Sequence, residues 1–270
     1  MPMFTIITAT YNAAATLPRL LESLAEQTCR DFELIIQDGA SKDDTVAVAE
    51  SYRDRLPFLS LASEPDTGIY DAWNKALPRV RGEWVLFLGA DDKLADEFVL
   101  EKVGNKIKNI DANIDFISCD LRKVSTNSER DYHFVLLDSP VKALRLGMPC
   151  GHPALFHRSR IFSTNKFSTQ YKISGDYDFL IRMLKRDDQI VRHEVCAVHM
   201  AFGGISSSPK TRHLMLQENE KIWKTYFPVF FYYYKIFSTI KKNAKALSDK
   251  TRFTRAVWTI AKKVKFLWRE

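Results

Sequence analysis

Between Phe4 and Cys119, short apolar, β-rich runs alternate five times with helical patterns, and the connections between them are short. No other feature of the chain narrows its fold as much. Phe4–Thr8 reads as a first strand. Thr16-Leu-Pro18 reads as a cap followed by proline in the first helical turn, leading into Leu17, Leu20, Leu21 and Leu24 at helical spacing. Phe32–Gln37 is a second strand that ends on the turn signal Asp38-Gly39, and Ser41-Lys-Asp-Asp44 resembles a capping box for a helix reaching about Tyr52. A strand at Phe58–Ala62, a helix over Ile69–Leu77, the wholly apolar strand Trp84–Leu88, a helix over Phe98–Ile107 and a strand at Phe116–Cys119 follow. Such alternation predicts an α/β fold, a mostly parallel sheet flanked by helices on both faces. Ligands of these sheets gather beyond the carboxyl ends of the strands. Three of those ends are polar here: Thr8 to Asn12, Asp38 to Asp44, and Gly89 to Asp92. Residues 122–172 carry no clear pattern. Ser174-Gly-Asp-Tyr-Asp178 then starts a helix with Tyr177, Leu180, Ile181 and Leu184 on one face.

The first glycine of the chain is Gly39. The first strand-to-helix turn is therefore neither a G-x-G-x-x-G dinucleotide loop nor a P-loop. A nucleotide bound at this sheet needs its phosphates neutralised by other means, and a divalent cation held by carboxylates is the obvious one. The strand Trp84–Leu88 delivers the adjacent acids Asp91 and Asp92 to the sheet edge. Neighbouring carboxylates repel and shift each other's pKa. A Mg²⁺ or Mn²⁺ ion bridging them to a diphosphate relieves that repulsion and stabilises a departing nucleoside diphosphate. The plainer reading makes the pair a cap for the next helix.

The other acids are read in the same two ways. Asp38 can accept from a base N–H or a ribose hydroxyl, or it can close an ordinary turn. Asp71 and Asn74 share a helix face, with Asp66 in the preceding turn, so the three can hold base, ribose or sugar, or serve as caps and surface groups. Asp176 lies in the first turn of its helix, where backbone N–H groups and the dipole favour its ionised form. An ionised carboxylate in reach of a hydroxyl is a competent general base; dipole complementation alone is the alternative.

Five segments occur in order: Thr8-Ala-Thr-Tyr-Asn12; Asp38-Gly-Ala-Ser41 with Asp43-Asp44; Glu64-Pro-Asp-Thr-Gly-Ile-Tyr-Asp-Ala-Trp-Asn74; Gly89-Ala-Asp-Asp92; and Gly175-Asp-Tyr-Asp178. Over about residues 3–208 this set resembles a family 2 glycosyltransferase with the glycosyltransferase A fold, of the type that builds bacterial capsule, exopolysaccharide or lipopolysaccharide. The resemblance implies inverting transfer of a hexosyl or N-acetylhexosaminyl unit from a nucleoside diphosphate sugar, UDP by default, to a hydroxyl of a glycan or lipid-linked acceptor. It implies that Thr8, Ala9 and Tyr11 line the nucleoside pocket, with Tyr11 near the base, and that Asp38 binds base or ribose. Asp66, Asp71 and Asn74 join the nucleotide-sugar site. Asp91 is the metal-binding aspartate for Mn²⁺ or Mg²⁺, and Asp92 meets the metal or the donor sugar. Asp176 is the base that deprotonates the acceptor. His152 resembles part of an acceptor loop, and His199 and the loop around Gly204 resemble elements that close over the diphosphate or approach the metal; a lone histidine is also often structural. The chain departs from the family pattern at Gly89, where the first acid of the acid-x-acid motif usually stands, at Gly175, usually Glu, and at Trp73, often Arg.

The sequence divides by charge. Residues 209–270 hold 15 Lys/Arg and 4 Asp/Glu, a net +11, against −4 for residues 1–208. A catalytic domain over 1–208 and a basic, aromatic, helical C-terminal region over 209–270 are expected. Trp223, Tyr226, Phe227, Phe230, Phe231 and Tyr232–Tyr234 among lysines favour an anionic membrane interface; packing of amphipathic helices on the catalytic domain is the other reading. No recognition motif accompanies the charge, so nucleic acid is not an expected partner. Cys29, Cys119, Cys150 and Cys196 form no C-x-x-C pair, which suits reduced thiols in a cytosolic protein. MPMFTIIT has no basic stretch before an apolar run, and Phe227–Phe237 is too short to span a bilayer. The expected location is cytoplasmic, peripheral on the inner face of the cell membrane. Two other classes stay open: a sugar-phosphate nucleotidyltransferase, which would normally carry a Gly-rich basic first loop, and a non-catalytic membrane-associated binding protein, for which Gly89 is the best argument.

Overall fold

The computed structural model describes residues 1–124, 132–201, 209–232 and 235. Gly204 and the end of the basic tail lie outside the described residues. Four strands, β1 (Phe4–Thr10), β2 (Phe32–Asp38), β3 (Leu59–Ser63) and β4 (Trp84–Gly89), form a parallel block ordered β3-β2-β1-β4. β1, β2 and β4 read as near-continuous apolar runs because the block is buried on both faces. Phe4, Ile6, Leu34, Ile36, Leu86 and Leu88 face α1 (Leu17–Ala25) and α4 (Val99–Ile107) in one core. The alternate residue Phe87 faces α3 (Ile69–Ala76), where it meets Trp73 at 4.6 Å. Along α1, Leu17, Leu20, Leu21 and Leu24 are fully buried, as the helical spacing requires.

The second half of the sheet is mixed. β8 (Leu155–Arg158) runs antiparallel between β4 and β6 (Phe116–Val124). β6 pairs in parallel with β9 (Ile190–Ala201) and antiparallel with β7 (Tyr132–Phe134). β9 pairs with the two-residue β5 (Lys93–Leu94). The parallel expectation therefore holds for the β3-β2-β1-β4 block. The remaining helices are α2 (Thr45–Ser51), α5 (Pro140–Ala143), α6 (Gly175–Met183) and α7 (Pro209–Tyr226). The chain divides into two compact units, Met1–Asn219 and Glu220–Glu270. Among the described residues no helix is long and apolar enough to cross a membrane.

Two expected caps take other forms. Thr16 stands at the N-cap of α1, but its hydroxyl donates to the Ala13 carbonyl at 3.3 Å and caps no N–H. Ser41 does not box with Asp44. Its hydroxyl and its N–H both turn back to Asp38, while Asp43 accepts from Thr45 and from the Ala14 N–H.

Candidate active site

The register of the sheet brings the sequence-defined acids to one edge. Thr10 pairs with Asp38, Asp38 with Ser63, and Ala9 with Gly89. The carboxyl ends of all four parallel strands therefore lie side by side, roughly 4.8 Å apart per strand. β8 runs the opposite way beside β4, with Leu86 opposite Phe156, so the turn holding His152 just before β8 meets the same edge. Asp176 influences both His152 and Cys150 electrostatically, which puts the start of α6 there too. A hollow of about 1260 Å³ opens at the opposite, amino end of the block, around Arg30, Glu33, Phe58 and Arg81, away from these acids.

The loops after β1 and β2 are interlocked. Asn12 and Ala40 have φ of 49° and 60°. Asn12 donates its N–H to Ser41 Oγ at 2.8 Å and accepts the Lys42 N–H at 2.8 Å. Tyr11, the residue beside this turn, is 64% exposed. A Cβ on Gly39 would lie 2.5 Å from Asp66 Oδ2 and 3.4 Å from the Tyr11 ring, so these two residues meet over the glycine. Asp66 Oδ1 accepts the Gly68 N–H at 2.8 Å. An exposed aromatic beside a carboxylate with one oxygen toward it suits the base or ribose of a nucleoside.

Two side chains expected at the nucleoside are buried in the structure. Asp38 has no exposed surface, and its carboxylate accepts from Thr10 Oγ1 at 2.9 Å, Ser41 Oγ at 2.5 Å, the Ser41 N–H at 2.9 Å and Ser63 Oγ at 2.7 Å. Burial pushes its pKa up, but these bonds, Ser41's first, outweigh it and hold the carboxyl below its ordinary value. Asp38 thus fixes three strand ends from inside. Thr8 is likewise fully buried. Its even position on β1 turns it to the α1 face, away from the edge. Ala9 stays partly exposed beside Gly89.

Asp71, in the first turn of α3, accepts the Thr67 N–H at 2.9 Å. Asn74 is a backbone clamp: its amide donates to the Phe167 carbonyl at 2.8 Å and accepts the Phe167 N–H at 2.9 Å. Trp73 is 5% exposed and stacks on His152 with centroids 5.3 Å apart. Where the family often carries Arg, this chain has an aromatic layer of Trp73, Phe87, His152 and Phe167 under α3. Burial keeps His152 below its ordinary pKa, and His157 well below, so both are neutral rings at pH 7. His152 is a buried member of this layer, and its Nε2 has no hydrogen-bond partner.

Gly89 has a local cause. A Cβ there would lie 2.9 Å from Asp91 Oδ1 and 3.1 Å from Asp92 Oδ2, because both carboxylates converge over it. Asp92 is buried; its Oδ2 accepts the Gly89 N–H at 2.9 Å and its Oδ1 has no partner. Burial, with Asp91 alongside, raises Asp92 from 3.8 to about 7. Asp91 is partly exposed. No group of three metal-ligating side chains occurs among the described residues. A hard cation taken mainly by substrate phosphates needs only one or two protein carboxylates, so converging Asp91 and Asp92 fit one. Lys123 on β6 also bears on this pair electrostatically. His199 on β9 lies opposite Lys93, the residue that follows Asp92.

Asp176 is partly exposed at the second position of α6. Its Oδ1 accepts the Tyr177 N–H at 2.8 Å and faces the Tyr70 hydroxyl at 3.1 Å. The same hydroxyl donates to the Ile173 carbonyl at 2.6 Å. Burial, then the Asp176 charge, raises the Tyr70 pKa well above its ordinary value, so it stays a phenol. The Tyr70 ring also explains Gly175, since a Cβ there would sit 2.7 Å from its Cδ2 and Cε2. Tyr70 is a site residue that sequence reading left inside an aromatic segment. Only its place directly before Asp71 in the Gly-Ile-Tyr-Asp segment at the start of α3 marked it.

Residues 5–189 match Glycosyl transferase family 2. A PGL/p-HBAD biosynthesis glycosyltransferase of Mycobacterium tuberculosis is 36% identical over 211 residues, 77% of this chain and 80% of the relative. Among solved structures, S. aureus TarS 1–349 superposes with a TM-score of 0.63 at 20% identity, covering 96% of this chain and 78% of that one. This chain spans 43% of the longer TarS structure. The mannosyltransferase PcManGT from Pyrobaculum calidifontis, solved with GDP-Man and Mn²⁺, gives a TM-score of 0.61 at 19% identity over 96% of this chain and 79% of that one. With matched motifs and a matched sheet, the chain belongs to glycosyl transferase family 2 and has the glycosyltransferase A fold.

Proposed function

We propose that the chain is an inverting glycosyltransferase that moves a hexosyl or N-acetylhexosaminyl unit from a nucleoside diphosphate sugar to a hydroxyl of a glycan or lipid-linked acceptor in cell-surface glycan assembly. What supports this most is the shared sheet edge that carries Asp91 and Asp176. Tyr11 and Asp66 take the nucleoside, with Asp38 holding the loops beneath them. The acceptor oxygen attacks the anomeric carbon, the bond from that carbon to the diphosphate oxygen breaks, and the proton passes to Asp176. A Mn²⁺ or Mg²⁺ ion held by Asp91, with Asp92 behind it, would supply charge neutralisation for the departing nucleoside diphosphate. UDP is the default nucleotide: a TarS structure contains UDP-GlcNAc, whereas PcManGT contains GDP-Man.

The test is a screen of UDP- and GDP-sugars for Mn²⁺-stimulated turnover, with Asp91→Ala and Asp176→Asn beside the wild type. Asp91→Ala is expected to abolish the metal stimulation. Asp176→Asn is expected to keep nucleotide affinity while transfer falls by about 10³-fold, since it deletes a base and leaves the donor side intact. Equal loss of nucleotide affinity in Asp176→Asn refutes its role as base.

We also propose peripheral binding to an anionic inner leaflet through the C-terminal region. Within residues 220–235, Lys224 and Lys235 both sit 5.4 Å over the Phe231 ring, and Val229 and Tyr232 are 85% and 61% exposed. Removal of residues 227–270, which takes Val229, Phe231, Tyr232 and Lys235 with the rest of the tail, should lower co-sedimentation with phosphatidylglycerol vesicles; unchanged sedimentation refutes it.

A further inference from the structure

The segment that presents Asp176 is held by a residue that no sequence motif singles out. Glu218 on α7 is 7% exposed. Its carboxylate accepts three consecutive peptide N–H groups: Lys172 at 2.7 Å on Oε1, then Ile173 at 3.0 Å and Ser174 at 2.8 Å on Oε2. Consecutive N–H groups converging on one anion form a nest, and a buried carboxylate makes such bonds charge-assisted. From the other side, the Tyr70 hydroxyl donates to the Ile173 carbonyl at 2.6 Å. Ser174 is the N-cap of α6 yet makes no side-chain cap bond. The start of the helix is therefore fixed by a side chain 44 to 46 residues further along the chain, not by a local cap. Asp176 follows two residues after Ser174 and has no such freedom of its own, because its Oδ1 is tied to the adjacent Tyr177 N–H.

We propose that Glu218 is a positioning residue for glycosyl transfer: by gathering the N–H groups of residues 172–174 it sets where the Asp176 carboxylate meets the acceptor hydroxyl. The inference rests on the reading of Asp176 as the base. Without the carboxylate, three N–H groups, those of Ile173 and Ser174 buried, lose their acceptor, and the segment must move to find others. Displacing a reacting group by about 1 Å costs on the order of 10²-fold in rate. The donor side is built from other loops, those carrying Tyr11, Asp66 and Asp91. The segment also reaches that side through Lys172, whose ammonium donates to the Thr67 carbonyl at 2.5 Å. Lys172→Met isolates that link.

The experiment measures transfer kcat with the donor found by the screen, UDP affinity in Mn²⁺ by calorimetry, and Tm, for wild type, Glu218→Gln, Glu218→Ala, Lys172→Met and Val103→Ala. Val103 is fully buried in α4, on the other face of the sheet, and serves as a destabilised control. Glu218→Ala is expected to lower kcat about 100-fold, and Glu218→Gln, which keeps the volume and one acceptor oxygen, about 10-fold. UDP affinity in both stays within about 2-fold of wild type, because the effect lies on the acceptor side. Lys172→Met and Val103→Ala keep kcat within the same factor. The inference is overturned if the Glu218 variants keep kcat, lose UDP affinity in step with kcat, or lose no more kcat than Val103→Ala at equal Tm. A wild-type chain that transfers from no nucleotide sugar sinks the glycosyl-transfer reading and this inference together; active wild type with equally active Glu218→Gln and Glu218→Ala sinks this inference alone.

Discussion

Replacing Gly175 by alanine is ordinarily favourable in a helix, and here it should do harm. Glycine to alanine stabilises a helical position by about 0.5–1 kcal/mol when the space allows. At Gly175 the new Cβ would lie 2.7 Å from two carbons of the Tyr70 ring and 3.0 Å from a third. The ring has little room to give way. Tyr70 is 4% exposed, stacks on Phe167 at 5.9 Å, meets Trp73 edge-on at 5.3 Å, and is tied by its hydroxyl to Ile173. Overpacking of a filled site costs about 1–3 kcal/mol, so a net loss of about 1–2 kcal/mol is expected after the helix gain is subtracted. Because Tyr70 and residue 175 both border Asp176, transfer kcat should fall together with stability. Urea unfolding followed by tryptophan fluorescence reads the first effect, and initial rates of transfer read the second. The cause is checked by a double-mutant cycle with Tyr70→Leu, which removes the ring. In that background Gly175→Ala should become neutral or stabilising, a coupling of at least about 1 kcal/mol. A stabilised Gly175→Ala single variant, or a cycle with no coupling, refutes the claim that the Tyr70 ring excludes a side chain at 175.

Further expectations follow from single side chains. Asn74→Ala deletes both bonds to the Phe167 backbone and should cost about 2–4 kcal/mol, since a buried N–H and C=O are left unpaired; a urea-derived loss below about 0.5 kcal/mol, the size of an ordinary surface change, contradicts the clamp. His152 and His157 titrate lower in the fold than at their ordinary 6.5. Below about pH 6.5 the unfolded chain therefore binds more protons, and stability should fall with falling pH by up to about 1.4 kcal/mol per unit for each ring. Urea midpoints from pH 7.5 to 5.5 test this, with His157→Phe expected to flatten the slope; stability that rises toward acid overturns it. Gly39→Ala drives a Cβ to within 2.5 Å of Asp66 Oδ2 and should weaken UDP binding about 10-fold by moving that carboxylate; unchanged calorimetric affinity would remove Asp66 from the nucleoside site.

What the sequence made legible follows from which interactions are local. β1, β2 and β4 were readable because strands buried on both faces must be apolar throughout, and α1 because its four leucines share one stripe. The motif order also led to a single sheet edge, where the register sets the ends of β1, β2, β3 and β4 side by side. The antiparallel insertion of β8 between β4 and β6 was not readable, since strand pairing across distant segments leaves no periodic mark on either strand. The same holds for side chains. Asp38 looks like a ligand-binding acid in sequence, and only the register of Thr10 and Ser63 beside it reveals four internal bonds. Glu218 sits in a polar helix with no motif, and its three partners are backbone N–H groups, which leave no mark in a sequence.

The three departures from the family pattern are not three independent losses. Trp73 stacks on His152 and meets Phe87 at a tilt, and Tyr70, three residues earlier on the same helix, meets Trp73 edge-on and fills the space beside Gly175. A family glutamate at 175 could not coexist with that ring, and a charged arginine at 73 could not enter a layer that buries two neutral imidazoles without a costly unpaired charge. Trp73 and Gly175 therefore belong to a single packing solution, in which aromatic surface takes the place of an acid and a base. Gly89 is separate in space but similar in kind: the missing side chain leaves the room into which Asp91 and Asp92 fold. Restoring any one family residue alone should disturb the site more than it repairs, and only paired changes, such as Gly175→Glu with Tyr70→Leu, can test whether the family arrangement still fits this sheet.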